Sequence, residues 1–220
     1  MCWSPWSGTR SSRSSGATIS PAPGWPARLE SQGVVVRSLR RSDAEDWQAV
    51  RARNQDWLAP WDATVPPGGA PRPASYGLVT RALLRQAKRG HTLPFVIEVD
   101  GRFAGQVTVS NVARGSAQWG SIGYWVDAAV AGRGIAPRAV ALVIDHCLGP
   151  VGLHRVEICV RPENTNSLRV VEKLGLEQVG YAPRFLHING DWRDHRIFAV
   201  TREEVPYGIE QRLSTHQSHQ

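Results

Sequence analysis

The stretch Gly132-Arg133-Gly134-Ile135-Ala136 constrains this chain more than any other. It follows a strand-like run from about Gln118 to Val126. It opens a helical pattern from Pro137 to Leu148 in which Ala139, Val140, Val143, Ile144 and Cys147 share one apolar face. Glycines at a strand-to-helix turn let the backbone approach a ligand closely. Free amides and the positive helix end together suit a pyrophosphate. Two phosphate-binding architectures are excluded. A P-loop needs Gly-Lys-Ser/Thr after its second glycine, and a Rossmann turn needs a third glycine in a βαβ unit early in a parallel sheet; neither is present. Such a turn can also serve packing alone, so the surrounding elements decide.

Those elements describe a meander interrupted late by helices. Val34-Val35-Val36 begins a β-branched strand. Ser42-Asp43-Ala44-Glu45 has the form of a capping box, with Ala44, Trp47 and Val50 spacing a helix to about Asn54. Trp57 to Pro73, rich in proline and glycine, is a loop, and Ser75 caps a second helix reaching Lys88 or Arg89. A strand from Pro94 turns at Asp100-Gly101, a type I′ hairpin signal, into Phe103–Val109. Beyond the glycine turn and its helix come a strand at Arg155–Val160 and a short helix from about Asn166 to Leu174, ended by Gly175. A hairpin of Val179–Ile188 and Trp192–Thr201 around Asn189-Gly190 closes the pattern. The order predicts an α+β fold with a mixed, mostly antiparallel sheet of about seven strands flanked by helices.

Composition bounds the rest. A chain of 220 residues that is 41% hydrophobic suits one domain with a normal core. No window approaches the ~18 consecutive apolar residues of a membrane span. Met1 to Pro26 lacks the apolar run of a secretory signal, so a cytoplasmic protein is expected. Residues 1–32, without periodicity, are expected to be a disordered extension, 33–206 the folded domain and 207–220 a tail. The net charge of +7 is concentrated at the front, where Arg10, Arg13, Arg28, Arg37, Arg40 and Arg41 face only Glu30. No motif for DNA or RNA accompanies it. Cys2, Cys147 and Cys159 show no metal or disulfide spacing; the last two, among apolar neighbours, are expected to be buried thiols.

Three blocks carry a family resemblance. Ala131-Gly132-Arg133-Gly134-Ile135-Ala136 matches the second half of the Gln/Arg-x-x-Gly-x-Gly/Ala turn of GNAT acetyltransferases, with Ala131 where the family has Gln or Arg. Arg161-Pro162-Glu163-Asn164-Thr165-Asn166-Ser167 and Glu172-Lys173-Leu174-Gly175-Leu176 resemble the exit of the family's fifth strand and the helix after it. Asn54-x-x-Trp57-Leu58-x-Pro60-Trp61, and Gly180-Tyr181 through Asn189-Gly190-Asp191-Trp192 and Asp194-His195, resemble its RimJ/RimL branch. The matches run from about Val34 to Glu204.

The resemblance implies a sheet splayed between the family's fourth and fifth strands, with acetyl-CoA as acetyl donor in the gap. Its contacts would be Trp125, Val126, the 131–136 turn, Asn164 and Ser167. A backbone amide of Trp125 or Val126 would polarise the acetyl carbonyl. Ser167, three residues after Asn164, would protonate the leaving thiolate, with Tyr181 as a second candidate donor. A purely structural reading also stands: Asn164 as helix cap, Ser167 in the first turn, Tyr181 as core. No base is identifiable. Glu98, Glu157 and Asp194 read as solvated strand residues, and a water chain is the alternative. His187, Asp191, Asp194 and His195 straddle a hairpin turn and point to opposite faces, so no metal is expected.

The branch implies a protein N-terminus as acceptor, ribosomal proteins foremost, and a monomer or homodimer. The alternatives are a small-molecule amine (aminoglycoside, amino acid or polyamine) or a non-catalytic acyl-CoA-binding module.

Overall fold

A computed structural model describes residues 22–71, 73 and 75–217, with side chains to 213. Its strands are β1 (Arg28–Ser31), β2 (Val34–Ser38), β3 (Leu93–Val99), β4 (Arg102–Ala113), β5 (Trp119–Val126), β6 (Arg155–Val160), β7 (Glu177–Ile188) and β8 (Asp191–Thr201). They form one sheet in the order β1-β2-β3-β4-β5-β6-β8-β7. Every pairing is antiparallel except β5 with β6. The two tight hairpins turn as their residues require: Asp100 and Gly101 have φ of 51° and 70°, and Asn189 and Gly190 have 49° and 84°.

The helices are α1 (Ala44–Arg53), α2 (Gln55–Leu58), α3 (Tyr76–Lys88), α4 (Ile135–Leu148), α5 (Thr165–Lys173) and α6 (Glu210–Gln217). They cover both faces of the sheet and define two apolar layers. On one side α4 and α5 pack with Phe95, Ile97, Ile122, Tyr124, Ile158 and Phe198. On the other, Trp47 and Val50 of α1 and Leu83 of α3 pack with Val96, Phe103 and Trp125. Period-two alternation therefore sends Tyr124 and Trp125 to opposite layers. Among the described residues, no helix is long and apolar enough to cross a membrane.

Four expectations need correction. The sheet has eight strands because the first 32 residues are not all extension. β1 pairs with β2, Ala27 exchanges hydrogen bonds with Ser38, and the Gly24 carbonyl lies 2.7 Å from His146 Nε2. These partners lie far along the chain, so no local periodicity announces them; residues 1–21 lie outside those described. Within 207–220, α6 docks on α4. The half-buried Asp145 carboxylate accepts the Ile209 and Glu210 amides at 2.6 and 3.1 Å, capping α6 from another helix. Gly208, at φ +89°, leaves room for it.

The capping box at Ser42–Glu45 does not form. Asp43 faces inward, bonds the Arg40 amide at 2.6 Å and takes Arg37 in a buried bidentate pair at 2.9 Å. A buried arginine, itself shared with Glu98 at 2.7 Å, outcompetes a surface cap for that carboxylate. Trp57–Pro73 is not wholly loop: α2 and a 3-10 turn over Ala59–Trp61 occupy its start.

Candidate active site

The site begins where β5 and β6 part. Their parallel pairing covers only Trp119–Ser121 against Arg155–Glu157. Beyond it β5 stays on β4 through Val126, while β6 follows β8 through Val160. The diverging edges leave a cavity of about 260 Å³ running from Trp57 and Trp61 past Tyr124–Val126 to the glycine turn and the first turns of α5.

On the β5 side, the Asp127 amide donates back to Ala104 O of β4 at 2.8 Å. The Val126 carbonyl accepts the Trp57 indole N–H at 3.3 Å from the opposite side. Successive strand residues turn their N–H and C=O to opposite edges. The Val126 amide therefore faces the gap, and that of Trp125 faces β4. Gly105 lets β4 approach here, since a Cβ at that position would lie 2.3 Å from Trp125 O.

The floor of the cavity is the 131–136 turn. Gly132 and Gly134 hold φ of +79° and +75°, a left-handed conformation costly for other residues, and no atom lies within 4 Å of where a Gly132 Cβ would stand. α4 starts at Ile135 without an acidic residue in its first turn, leaving its N-terminal amides and positive end for an anion. Arg169 and Lys173, one turn apart on α5, add positive charge to the wall. Neither is marked by the sequence, although their i, i+4 spacing on a helix capped by Asn164 puts them on one face.

The opposite wall is the start of α5. Asn164 is buried, and its Oδ1 caps the helix by accepting the Ser167 amide at 3.1 Å. Its Nδ2 is buried without a hydrogen-bond partner among the described residues. A buried orphan donor on a cavity wall is costly unless a ligand acceptor satisfies it. Ser167 is also buried and lines the cavity, and the Tyr124 hydroxyl donates to its carbonyl at 3.4 Å. The cap engages Asn164 Oδ1 alone and leaves Nδ2 without a partner among the described residues.

Two arginines hold the aromatic end. Arg161 lies 5.3 Å over the Trp61 ring and donates to Pro60 O at 2.8 Å. Arg51 lies 5.3 Å over Trp125 and is paired with Asp62. Beneath them, buried Asn54 donates to Val50 O and Asp127 at 2.8 and 2.9 Å and accepts the Ala128 amide at 2.9 Å. Burial opposes ionisation of Asp127, yet hydrogen bonds from Arg53, Asn54 and Ala129 hold its carboxyl below the usual range. This clasp joins the aromatic segment to the turn that leads into the glycines.

The cavity thus gathers Trp125, Val126, Ala131, Gly132, Gly134, Ile135, Ala136, Asn164 and Ser167 from distant parts of the sequence. Arg133 lies outside its wall, exposed and 4.0 Å from Asp100. Tyr181 is not brought to it either. That side chain is half exposed on β7, and its hydroxyl donates to Asp194, which holds it above its usual value and makes it a poorer acid. The carboxylates considered as bases are engaged elsewhere: Glu98 with Arg37, Glu157 with Arg155 at 2.8 Å, Asp194 with Tyr181. His187 turns to Thr64, and the described residues contain no metal-holding cluster of His, Cys, Asp or Glu. Cys147 and Cys159 are buried, and burial pushes the Cys147 thiol up to about 12.

A mixed sheet parted at one parallel pair, with a left-handed glycine turn opening a helix at the gap, defines an acyl-CoA-dependent transferase. A family model for the "Acetyltransferase (GNAT) domain" matches residues 34–177, and the chain belongs to that family. It is an acetyl-transferring enzyme with acetyl-CoA as its co-substrate. It is 33% identical to the probable N-acetyltransferase YjcK of Bacillus subtilis over 78% of this chain and 96% of that protein. It is 29% identical to the [ribosomal protein uS5]-alanine N-acetyltransferase of Escherichia coli, over 79% and 90%. The structure of Mycobacterium smegmatis RimJ in complex with CoA-disulfide superposes with a TM-score of 0.79 at 37% identity, covering 89% of this chain and 97% of that one.

Proposed function

We propose that the enzyme acetylates the α-amino group at a protein N-terminus, with a ribosomal protein as acceptor, in the cytoplasm. The observation that carries the reading is the aromatic mouth of the cavity. Trp57 and Trp61 leave an open approach to the Val126 edge, suited to a chain end threading inward. Similarity to RimJ and to the uS5-alanine enzyme over most of the chain supports the acceptor class.

Acetyl-CoA supplies an activated thioester carbonyl. The 131–136 amides, with Arg169 and Lys173, hold its phosphates, and Asn164 Nδ2 donates to an amide carbonyl of its arm. The Val126 N–H polarises the acyl oxygen. The Ser167 hydroxyl protonates the departing sulfur. The test is intact-mass analysis of ribosomal proteins incubated with enzyme and acetyl-CoA. A single added acetyl group, mapped to one N-terminus, is expected. Turnover of aminoglycosides or polyamines with no acetylated protein would overturn the reading.

A further inference from the structure

Resting on the reading of α5 as a wall of the CoA cleft, and on no particular acceptor, we propose that Arg212 is a positioning residue for acyl transfer. Through it α6 holds α5 in place against α4. α6 lies beyond residues 34–177, which carry the family match, and packs on both helices. Its N-terminus is tied to α4, where the Asp145 carboxylate accepts the Ile209 and Glu210 amides. Ile209 is fully buried in the apolar layer of α4 and α5, and Leu213 packs against that layer. Between them, half-buried Arg212 reaches the C-terminal end of α5. Its Nη1 donates to Leu174 O and Gly175 O at 3.2 and 2.8 Å, and its Nη2 to Glu204 O at 3.1 Å. Gly175, left-handed at φ +60°, leaves room for the guanidinium: a Cβ there would stand 3.2 Å from Arg212 Nη1. The last carbonyls of a helix have no partner within it, and a cation suits both them and the negative helix end.

The two helices carry complementary parts of the site. α4 begins at the glycine turn, and α5 presents Asn164, Ser167, Arg169 and Lys173 to the same cavity. One CoA molecule must meet both, so the placement of α5 against α4 sets how many contacts it makes at once. α5 has nine residues, about 13 Å of helix, so a tilt of roughly 10° about its C-terminal end moves its first turn by about 2 Å. A misplacement on the order of 1 Å is enough to cost a large factor in rate. The tilt is resisted by a bridge that runs from Asp145 through the α6 backbone to the guanidinium and the end of α5. Cutting the bridge at either end releases α5.

Titration calorimetry with CoA, at a temperature where circular dichroism shows every variant folded, tests the bridge. Arg212→Ala and Asp145→Ala should each raise the CoA Kd by roughly three- to tenfold. Arg212→Lys, with a single donating group, should fall between Arg212→Ala and the parent. The double variant should lie within about twofold of the weaker-binding single, because one cut already breaks the bridge. Singles that bind CoA like the parent, or a double variant at the product of the two effects, would overturn the proposal. If Asp145→Ala does not fold, Asp145→Asn, which keeps one accepting oxygen, takes its place. At saturating acetyl-CoA, Arg212→Ala should also lower kcat, while KM for the acceptor amine stays within about twofold, since Trp57 and Trp61 stand on other elements. A KM that rises in step would mark general loosening and refute a positioning role. Asn164→Ser separates the two readings. If it binds CoA like the parent, the α5 wall fails and the proposal with it; if it weakens binding and Arg212→Ala does not, the proposal alone fails.

Discussion

On the proposed reading Asn164 has two separable jobs, and substitution can part them. Its Oδ1 caps α5 through the Ser167 amide, while its Nδ2 is a buried donor with no partner among the described residues. Asn164→Ala removes both. Loss of a cap costs about 1 kcal/mol, which for a chain of this length lowers Tm by roughly 2–4 °C. Loss of a neutral donor to the CoA arm costs about 0.5–1.5 kcal/mol, a rise in CoA Kd of roughly two- to tenfold. Asn164→Ser keeps a good capping oxygen but withdraws the amide donor. It should therefore melt within about 1 °C of the parent while binding CoA as weakly as the alanine variant. Thermal unfolding without ligand and titration calorimetry with CoA give the two numbers independently. A serine variant that binds CoA like the parent, or melts like the alanine variant, would refute this division of roles.

Ser167→Ala should lower kcat about 100-fold, the lower range for a lost general acid, with CoA affinity within about twofold of the parent; a kcat loss below threefold removes Ser167 from proton transfer. Asn54→Ala strands the Ala128 amide and removes one of the hydrogen bonds to the Asp127 carboxylate, costing about 1–3 kcal/mol, and should weaken CoA binding because the turn before the glycines loses its clasp. Arg37→Met leaves Asp43 buried and unpaired beside Glu98, and a loss of about 3–5 kcal/mol is expected in urea unfolding. His195 is held neutral by burial, with its pKa lowered from 6.5 to about 4. Above pH 6.5 it is neutral in both states and contributes nothing. As the pH falls from about 6.5 towards 4 the unfolded chain takes up a proton the fold refuses, so stability drops by at most about 1.4 kcal/mol per pH unit. His146, lowered in the same sense by burial, adds to the slope; in His195→Gln the slope should be shallower, and an unchanged one would exclude this residue as its source.

Residues whose role is set by their neighbours in the chain were legible from the sequence. Asp100-Gly101 and Asn189-Gly190 adopt their turns because both positions demand positive φ. Gly132 and Gly134 do so at the head of α4, and Ser75 and Asn164 cap the helices that follow them. Residues whose role is set by distant partners were not. Ser42–Glu45 has the form of a cap, but the buried guanidinium of Arg37 captures Asp43. Arg28–Ser31 lacks strand periodicity and becomes β1 because β2 offers a free edge.

The same division runs through the active site. Local chemistry marked the glycine turn, the Asn164 cap and most of the order of strands and helices, because φ preference, capping and hydrophobic period act over a few residues; the family resemblance marked the Asn164–Ser167 pair. Only the tertiary structure decided that Val126 rather than Trp125 turns its amide into the gap, since that follows from the side of β5 on which β4 lies. Only packing brought Trp57, Tyr124, Arg169 and Lys173 to one cavity and kept Tyr181 away from it. It also left that cavity without a carboxylate among its described lining residues, because each nearby acid found an arginine elsewhere in the fold.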